Sequence, residues 1–161
     1  MPKEDGTVQM YPCYAFEAHI PLITIDPGTG QVQIHDYYIG HDCGTVINPD
    51  IVRGMTFGGI AHGIGAALYE KFQYDESGQL QAGTFMDYLL PSAHEIPAVE
   101  MIKHHTPSPL TEFGQKGSGE SGYLGAPAAI ASAVNDALAP LGKSIATLPM
   151  RVRDLEELLN S

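Results

Sequence analysis

Apolar and polar positions alternate from residue 31 to residue 39, the pattern of a strand with one buried face. Upstream, the apolar-rich run 13–25 (Cys-Tyr-Ala-Phe-Glu-Ala-His-Ile-Pro-Leu-Ile-Thr-Ile) reads as its partner strand. Between them, Asp26-Pro27-Gly28-Thr29-Gly30 is a turn: proline presets one φ angle and glycine supplies a positive one. Asn48 followed by Pro49 reads as an N-cap with proline in the first turn of a helix over residues 49–70. That helix carries Gly54, Gly58, Gly59, Gly63 and Gly65. Each glycine costs a free helix about 1 kcal/mol relative to alanine. Their number predicts close contact with a neighbouring backbone or a ligand, or an irregular helix.

Further along, residues 72–76 and 79–86 flank Ser77-Gly78 and predict a second hairpin, and 99–105 a short strand. A small-residue run after the glycines at 114–125 predicts a buried helix over 121–140, broken by Pro140 and Gly142. A strand at 145–148 and a last helix at 149–159, with Pro149 at its start, complete the pattern. Strands and helices interleave without a regular βαβ repeat, so the expected fold class is α+β, with mixed sheet hairpins and packed helices. Residues 1–12 read as a frayed segment and 13–161 as one domain.

Composition narrows the function. The 161 residues carry only 17% charged side chains, with a net charge of −11. Average usage is about 25% charged, so part of the surface is expected to be covered by other protein. Eight Lys and Arg form no basic stripe, which argues against nucleic acid as a partner. No run reaches transmembrane length and the N-terminus lacks the order of a signal peptide. Cys13 and Cys43 are too few for a disulfide framework. The expected address is cytoplasmic, with no membrane partner.

Candidate chemistry concentrates in Gly114-Gln-Lys-Gly-Ser-Gly-Glu-Ser-Gly-Tyr-Leu-Gly125. Such a loop can turn backbone N–H groups towards an anion and holds one acid, Glu120. Glu120 has two readings, a positioned base or a carboxylate capping the following helix. Lys116 precedes the second glycine, so this is no Walker loop. Gly117-Ser118-Gly119-Glu120-Ser121-Gly122 fits G-x-G-x-x-G, but no clear strand enters it, which disfavours a Rossmann site. The histidines lack zinc-site spacing, so no metal ligands are expected from this chain and the histidines read as ordinary surface, core or interface groups. Cys43 reads as a small buried thiol rather than a nucleophile.

Taken in order, His41-Asp42-Cys43-Gly44-Thr45-Val46-Ile47-Asn48-Pro49, Arg53-Gly54-Met55-Thr56-Phe57-Gly58-Gly59, Met86-Asp87-Tyr88-Leu89-Leu90-Pro91-Ser92, Thr106-Pro107-Ser108-Pro109 and Lys116-Gly117-Ser118-Gly119-Glu120-Ser121 form a specific series. It resembles the C-terminal part of the molybdopterin-binding large subunit of the xanthine dehydrogenase, aldehyde oxidase and carbon monoxide dehydrogenase family. The resemblance runs from about residue 13 to residue 159.

The resemblance implies a molybdenum hydroxylase that oxidises an aldehyde, an N-heterocycle or a similar small substrate with water-derived oxygen. The implied cofactor is molybdopterin with molybdenum, in the cytosine dinucleotide form. Glu120 matches the acid beside molybdenum that acts as general base. Gly117, Ser118 and Gly119 would bring backbone close to the metal and pterin, and Lys116 would add a charge. Asp42, Cys43, Thr45 and Asn48 would line the dinucleotide. Met55 departs from the pattern, standing where many relatives carry a glutamine facing the pterin. Methionine lacks that amide's donors and acceptor.

The family's large subunit is several times longer, so this chain is expected to work only with the rest of the molybdenum subunit. Electrons would pass to an iron–sulfur subunit with 2Fe-2S and a flavin subunit with FAD, in a hetero-oligomer. Two alternatives stand beside this reading. One is a non-catalytic truncated or degenerate fragment that acts only as a scaffold for partner chains. The other is a small domain binding nucleotide through the glycine loop.

Overall fold

The computed structural model describes residues 3–8 and 13–161. Of the expected frayed segment, residues 1, 2 and 9–12 lie outside the described residues. Strand β1 (Phe16–Ile25) pairs antiparallel with β2 (Val32–Asp42), and β2 pairs parallel with β3 (Ala98–Lys103), giving a mixed sheet in the order β1-β2-β3. The hairpin turn forms as expected: Asp26 Oδ1 accepts the Gly28 N–H at 2.7 Å, and Gly30 takes φ +73°. With helices α1 (Pro49–Leu68), α2 (Ala126–Leu138) and α3 (Val152–Asn160), the α+β expectation holds.

The core lies between the sheet, α1 and α2. Tyr37 and Ile39 of β2 meet Ile60 and Ile64 of α1 and Ile130, Val134 and Leu138 of α2, with Met150 and Leu155 closing one end. The other sheet face has no helix over it and exposes Phe16, Ile20, Leu22 and Ile102.

Asn48 caps α1 as expected, its side chain accepting from Asp50 N and Ile51 N, both at 3.1 Å. Of the five α1 glycines, Gly65 faces the side chains of Glu70 and Pro91, and the other four divide into two kinds. A Cβ at Gly59 would stand 2.5 Å from Ser121 O, and one at Gly63 would stand 2.5 Å from Ala126 Cβ. These two let the 114–125 loop and the start of α2 lie directly on α1. A Cβ at Gly54 or Gly58 would meet no described atom within 4 Å.

Four expected elements differ. The second hairpin is reduced to one bridge, Tyr74–Leu80, around a turn that Asp75 holds through Ser77 and Gln79. Its flanks are mostly exposed and meet no sheet, so nothing extends the pairing. Helix α2 starts at Ala126 rather than residue 121, because Gly122 takes φ +88° and Pro127 sits in the first turn. Helix α3 starts at Val152 rather than residue 149, because the Met150 N–H is held by the Ala67 carbonyl at 2.7 Å.

The expected strand at 145–148 does not form. The Asn135 side chain takes both backbone groups of Ile145, its Oδ1 accepting the N–H at 2.8 Å and its Nδ2 donating to the carbonyl at 3.0 Å. Asn135→Ala is expected to lower stability by about 1–3 kcal/mol, the cost of leaving half-buried backbone groups unpaired. Asn135→Asp, which keeps only the acceptor, should fall between the two in thermal melting. Equal melting temperatures for all three would show that the side chain does not hold the segment.

Candidate functional site

Two loops meet at the C-terminal end of β2. Lys116 N–H donates to Cys43 O at 2.8 Å, Thr45 N–H donates to Gly114 O at 3.1 Å, and Gly44 bridges Gln115. The structure therefore brings Asp42, Cys43 and Thr45 against Lys116 and the start of the glycine loop. Met55 joins them from α1, its Cε lying 3.9 Å from where a Gly119 Cβ would stand. Asn48 stays at the exposed start of α1 with its side chain engaged in the cap.

Asp42 is buried and works within the chain. Its Oδ1 accepts from Gly44 N at 2.8 Å, its Oδ2 accepts from the Thr106 hydroxyl, and His104 Nδ1 lies 3.3 Å away. Lys116 Nζ stands 3.5 Å from Asp42 Oδ1 and donates to Thr106 Oγ1 at 2.7 Å. The lysine charge is thus matched inside the chain. Burial alone would raise the Asp42 pKa, but the bonds from Thr106, Gly44 and His104 outweigh it and hold the carboxyl well below the usual range.

A lowered folded-state pKa stabilises above the unfolded value, about 3.9, and that contribution is lost as pH falls below it. Asp42→Asn is therefore expected to melt below the unaltered chain at pH 7, with the gap narrowing steadily as pH falls below about 4. A gap that does not change with pH would contradict the assignment. Cys43 is a buried thiol, as expected, and burial pushes its pKa up.

Residues 117–121, Leu124 and Gly125 line a cavity of about 760 Å³ with Cys13, Tyr14, Ala15, Glu17 and His19. Of the expected site residues, Gly117, Ser118, Gly119 and Glu120 line it, whereas Lys116, Asp42, Cys43, Thr45, Asn48 and Met55 do not. Glu120 is exposed on this wall. The helix-capping reading fails: α2 begins six positions later with Gly125 as N-cap and no side-chain cap bond. A Cβ at Gly117, as at Gly54 and Gly58, would meet no described atom within 4 Å. Nothing in this chain requires these three glycines, and bare backbone facing open space suits the close approach of a ligand.

A sequence model of the molybdopterin cofactor-binding domain matches residues 1–97. The chain belongs to this family. It is 43% identical over 138 residues to the nicotine 6-hydroxylase large subunit of Paenarthrobacter nicotinovorans, covering 86% of this chain and 17% of that protein. It is 38% identical over 136 residues to the carbon monoxide dehydrogenase large chain of Afipia carboxidovorans, covering 84% of this chain and 17% of that protein. The fold matches the crystal structure of quinoline 2-oxidoreductase from Pseudomonas putida 86 with a TM-score of 0.86 and 43% identity, over 89% of this chain and 18% of that one. The chain spans about a sixth of these relatives' length.

In this molybdopterin-binding domain, the bare glycines and the open cavity fit a large cofactor. The sequence reading missed the polar cluster beneath the loop. Tyr37 OH lies 2.9 Å from His19 Nδ1, and His19 Nε2 lies 3.3 Å from Glu17 Oε2, which also accepts the Gly122 N–H at 3.0 Å. His41 Nε2 lies 3.0 Å from Ser118 Oγ, itself 2.7 Å from Ser121 Oγ.

Burial would raise the Glu17 pKa, but hydrogen bonds from His19, Gly122 and nearby Ser121 bring it below the usual value. Burial lowers the His41 pKa against the opposing pull of Glu17 and Asp42, so the imidazole is neutral at pH 7. Burial and the Glu17 charge push the Tyr37 phenol up, so it stays protonated. The missed signal was parity: Glu17 and His19 share the inner face of β1 with Ile23 and Ile25. A polar residue in a core-facing register needs partners.

Proposed function

We propose that this domain forms part of a molybdenum hydroxylase oxidising an aldehyde, an N-heterocycle or a similar small substrate, with Glu120 as general base. The observation that carries the reading is that Glu120 stands on a bare glycine loop, in the wall of a cavity of about 760 Å³, with no hydrogen bond to its carboxylate among the described residues. A carboxylate so placed can accept a proton from a group bound in the cavity. When bound, the molybdenum cofactor supplies the two-electron acceptor and the activated oxygen. Gly117, Ser118 and Gly119 present backbone to it, and Met55 stands beside Gly119. The Cys43–Asn48 turn and the start of α1 accommodate the cytosine dinucleotide.

Among the described residues, no group of three or more His, Cys, Asp and Glu is placed to hold a metal ion; in this reading the pterin carries the molybdenum. In this reading 2Fe-2S and FAD belong to partner chains in a hetero-oligomer. The apolar outer sheet face of Phe16, Ile20, Leu22 and Ile102 is suited to cover by the rest of the molybdenum subunit. No described helix is long and apolar enough to cross a membrane; a cytoplasmic address is part of the proposal.

The test is co-purification from the native host, with molybdenum measured by elemental analysis and partners identified by mass spectrometry. Stoichiometric molybdenum with iron–sulfur and flavin partners supports the reading. A stable complex without molybdenum, from molybdate-replete cells, would leave the scaffold alternative.

A further inference from the structure

The cluster beneath the glycine loop has a second acid that the proposed reaction does not use. Glu17 Oε2 is satisfied by Gly122 and His19, but Oε1 is buried with no hydrogen-bond partner among the described residues. The group it faces is His41 Nε2 at 3.5 Å, the same nitrogen that bonds Ser118 Oγ at 3.0 Å. A carboxylate on the inner face of a strand carries a desolvation cost of several kcal/mol that an apolar residue would avoid. A carboxylate placed there needs partners, and one of those it finds, Gly122, lies on the loop.

Its role follows from where the bonds land. Gly122 lies two residues after Glu120, and Ser118 lies two residues before it. Glu17 on β1 holds the first through its backbone N–H, and His41 on β2 holds the second through its hydroxyl. Between these points the loop's own ties are local: Ser121 N–H donates to Ser118 O at 3.2 Å, and the two serine hydroxyls lie 2.7 Å apart. A Cβ at Gly117 would touch nothing described, and one at Gly119 would reach only the Met55 tip at 3.9 Å. The two bonds tie the loop to β1 and β2 on either side of Glu120, so they carry the sheet's position to the acid.

We propose that Glu17 and His41 are positioning residues that pin the loop on both sides of Glu120 and so fix where its carboxylate stands. The inference rests on Glu120 being the base. Glu17 and His41 need touch neither substrate nor cofactor. A misplacement of about 1 Å at a reacting group costs about 10²-fold in rate, which sets the scale of the effect.

The experiment uses the assembled complex carrying Glu17→Ala, Glu17→Gln, His41→Ala or His41→Gln. For each variant, kcat, KM, molybdenum content and amide deuterium exchange over residues 117–122 are measured. For the two alanine variants, kcat is expected to fall about 10- to 100-fold, with KM and molybdenum content within about twofold of the unaltered complex. Exchange in the loop should rise about tenfold or more, as loss of a holding bond frees its amides.

Glu17→Gln keeps an oxygen for the Gly122 N–H and should restore most of kcat and protection, as should His41→Gln through its side-chain amide. Should Glu17→Ala fail to assemble, Ser118→Ala breaks the His41 bond from the loop side and should reproduce the His41→Ala exchange. Unchanged exchange in the alanine variants overturns the pinning. Raised exchange with unchanged kcat overturns the link to Glu120. A complex without molybdenum overturns the hydroxylase reading instead, and the exchange data still decide whether the pins exist.

Discussion

Glu120→Gln is expected to lower kcat by about 10²–10⁴-fold, the usual contribution of a positioned general base. Glutamine keeps the size of the side chain and removes only the capacity to take a proton. Glu120 is exposed and its side chain makes no hydrogen bond among the described residues, so the substitution should leave melting temperature and molybdenum content unchanged. Because proton abstraction belongs to the transition state, kcat and kcat/KM should fall together. Steady-state kinetics on the assembled complex, with molybdenum measured on the same sample, make the check. A variant that turns over at the normal rate with full molybdenum would remove Glu120 from the reaction. The drop is also expected to exceed that of either alanine variant at Glu17 or His41, because those residues orient the base and do not replace it.

The second large effect is on stability. Gly122 takes φ +88°, and a Cβ there would overlap the Thr56 carbonyl oxygen and stand 2.9 Å from its carbon. Two costs combine in Gly122→Ala: a left-handed backbone conformation, about 1–2 kcal/mol, and overpacking against the α1 backbone, about 1–3 kcal/mol. Gly78 supplies the control. It takes φ +84° in an exposed turn where a Cβ would meet nothing within 4 Å, so Gly78→Ala carries only the first cost.

Gly122→Ala should therefore melt lower than Gly78→Ala. At about 2–4 °C per kcal/mol for a domain near this size, the added drop is several degrees. Similar melting temperatures for the two variants would mean that the loop does not lie on α1 as described. Because Gly122 also gives its N–H to Glu17, displacing it should loosen the loop around Glu120 and reduce turnover.

Local chemistry sufficed for the elements whose cause is local. The Asp26–Gly30 turn, the Asn48 cap and the alternation of residues 31–39 are decided by neighbours a few positions apart, and each forms where expected. The order of motifs from His41 to Ser121 likewise identified the family, because each motif is contiguous.

What the sequence could not decide were the long-range matters. The expected strand at 145–148 is taken by the side chain of Asn135, and the start of α3 is set by Ala67 far upstream. Two of the five α1 glycines have reasons inside the chain only because the loop and α2 come to rest on them, which a helix read alone cannot reveal.

The same holds for the site. Gly117 to Glu120 were legible as a contiguous motif, but the cluster beneath them joins Glu17, His41 and Gly122 across the length of the domain. Sequence alone determined the local backbone and the chemistry each residue can offer. Tertiary structure decided which of those groups meet, because hydrogen bonds and steric contact act over a few ångströms of space whatever the separation along the chain.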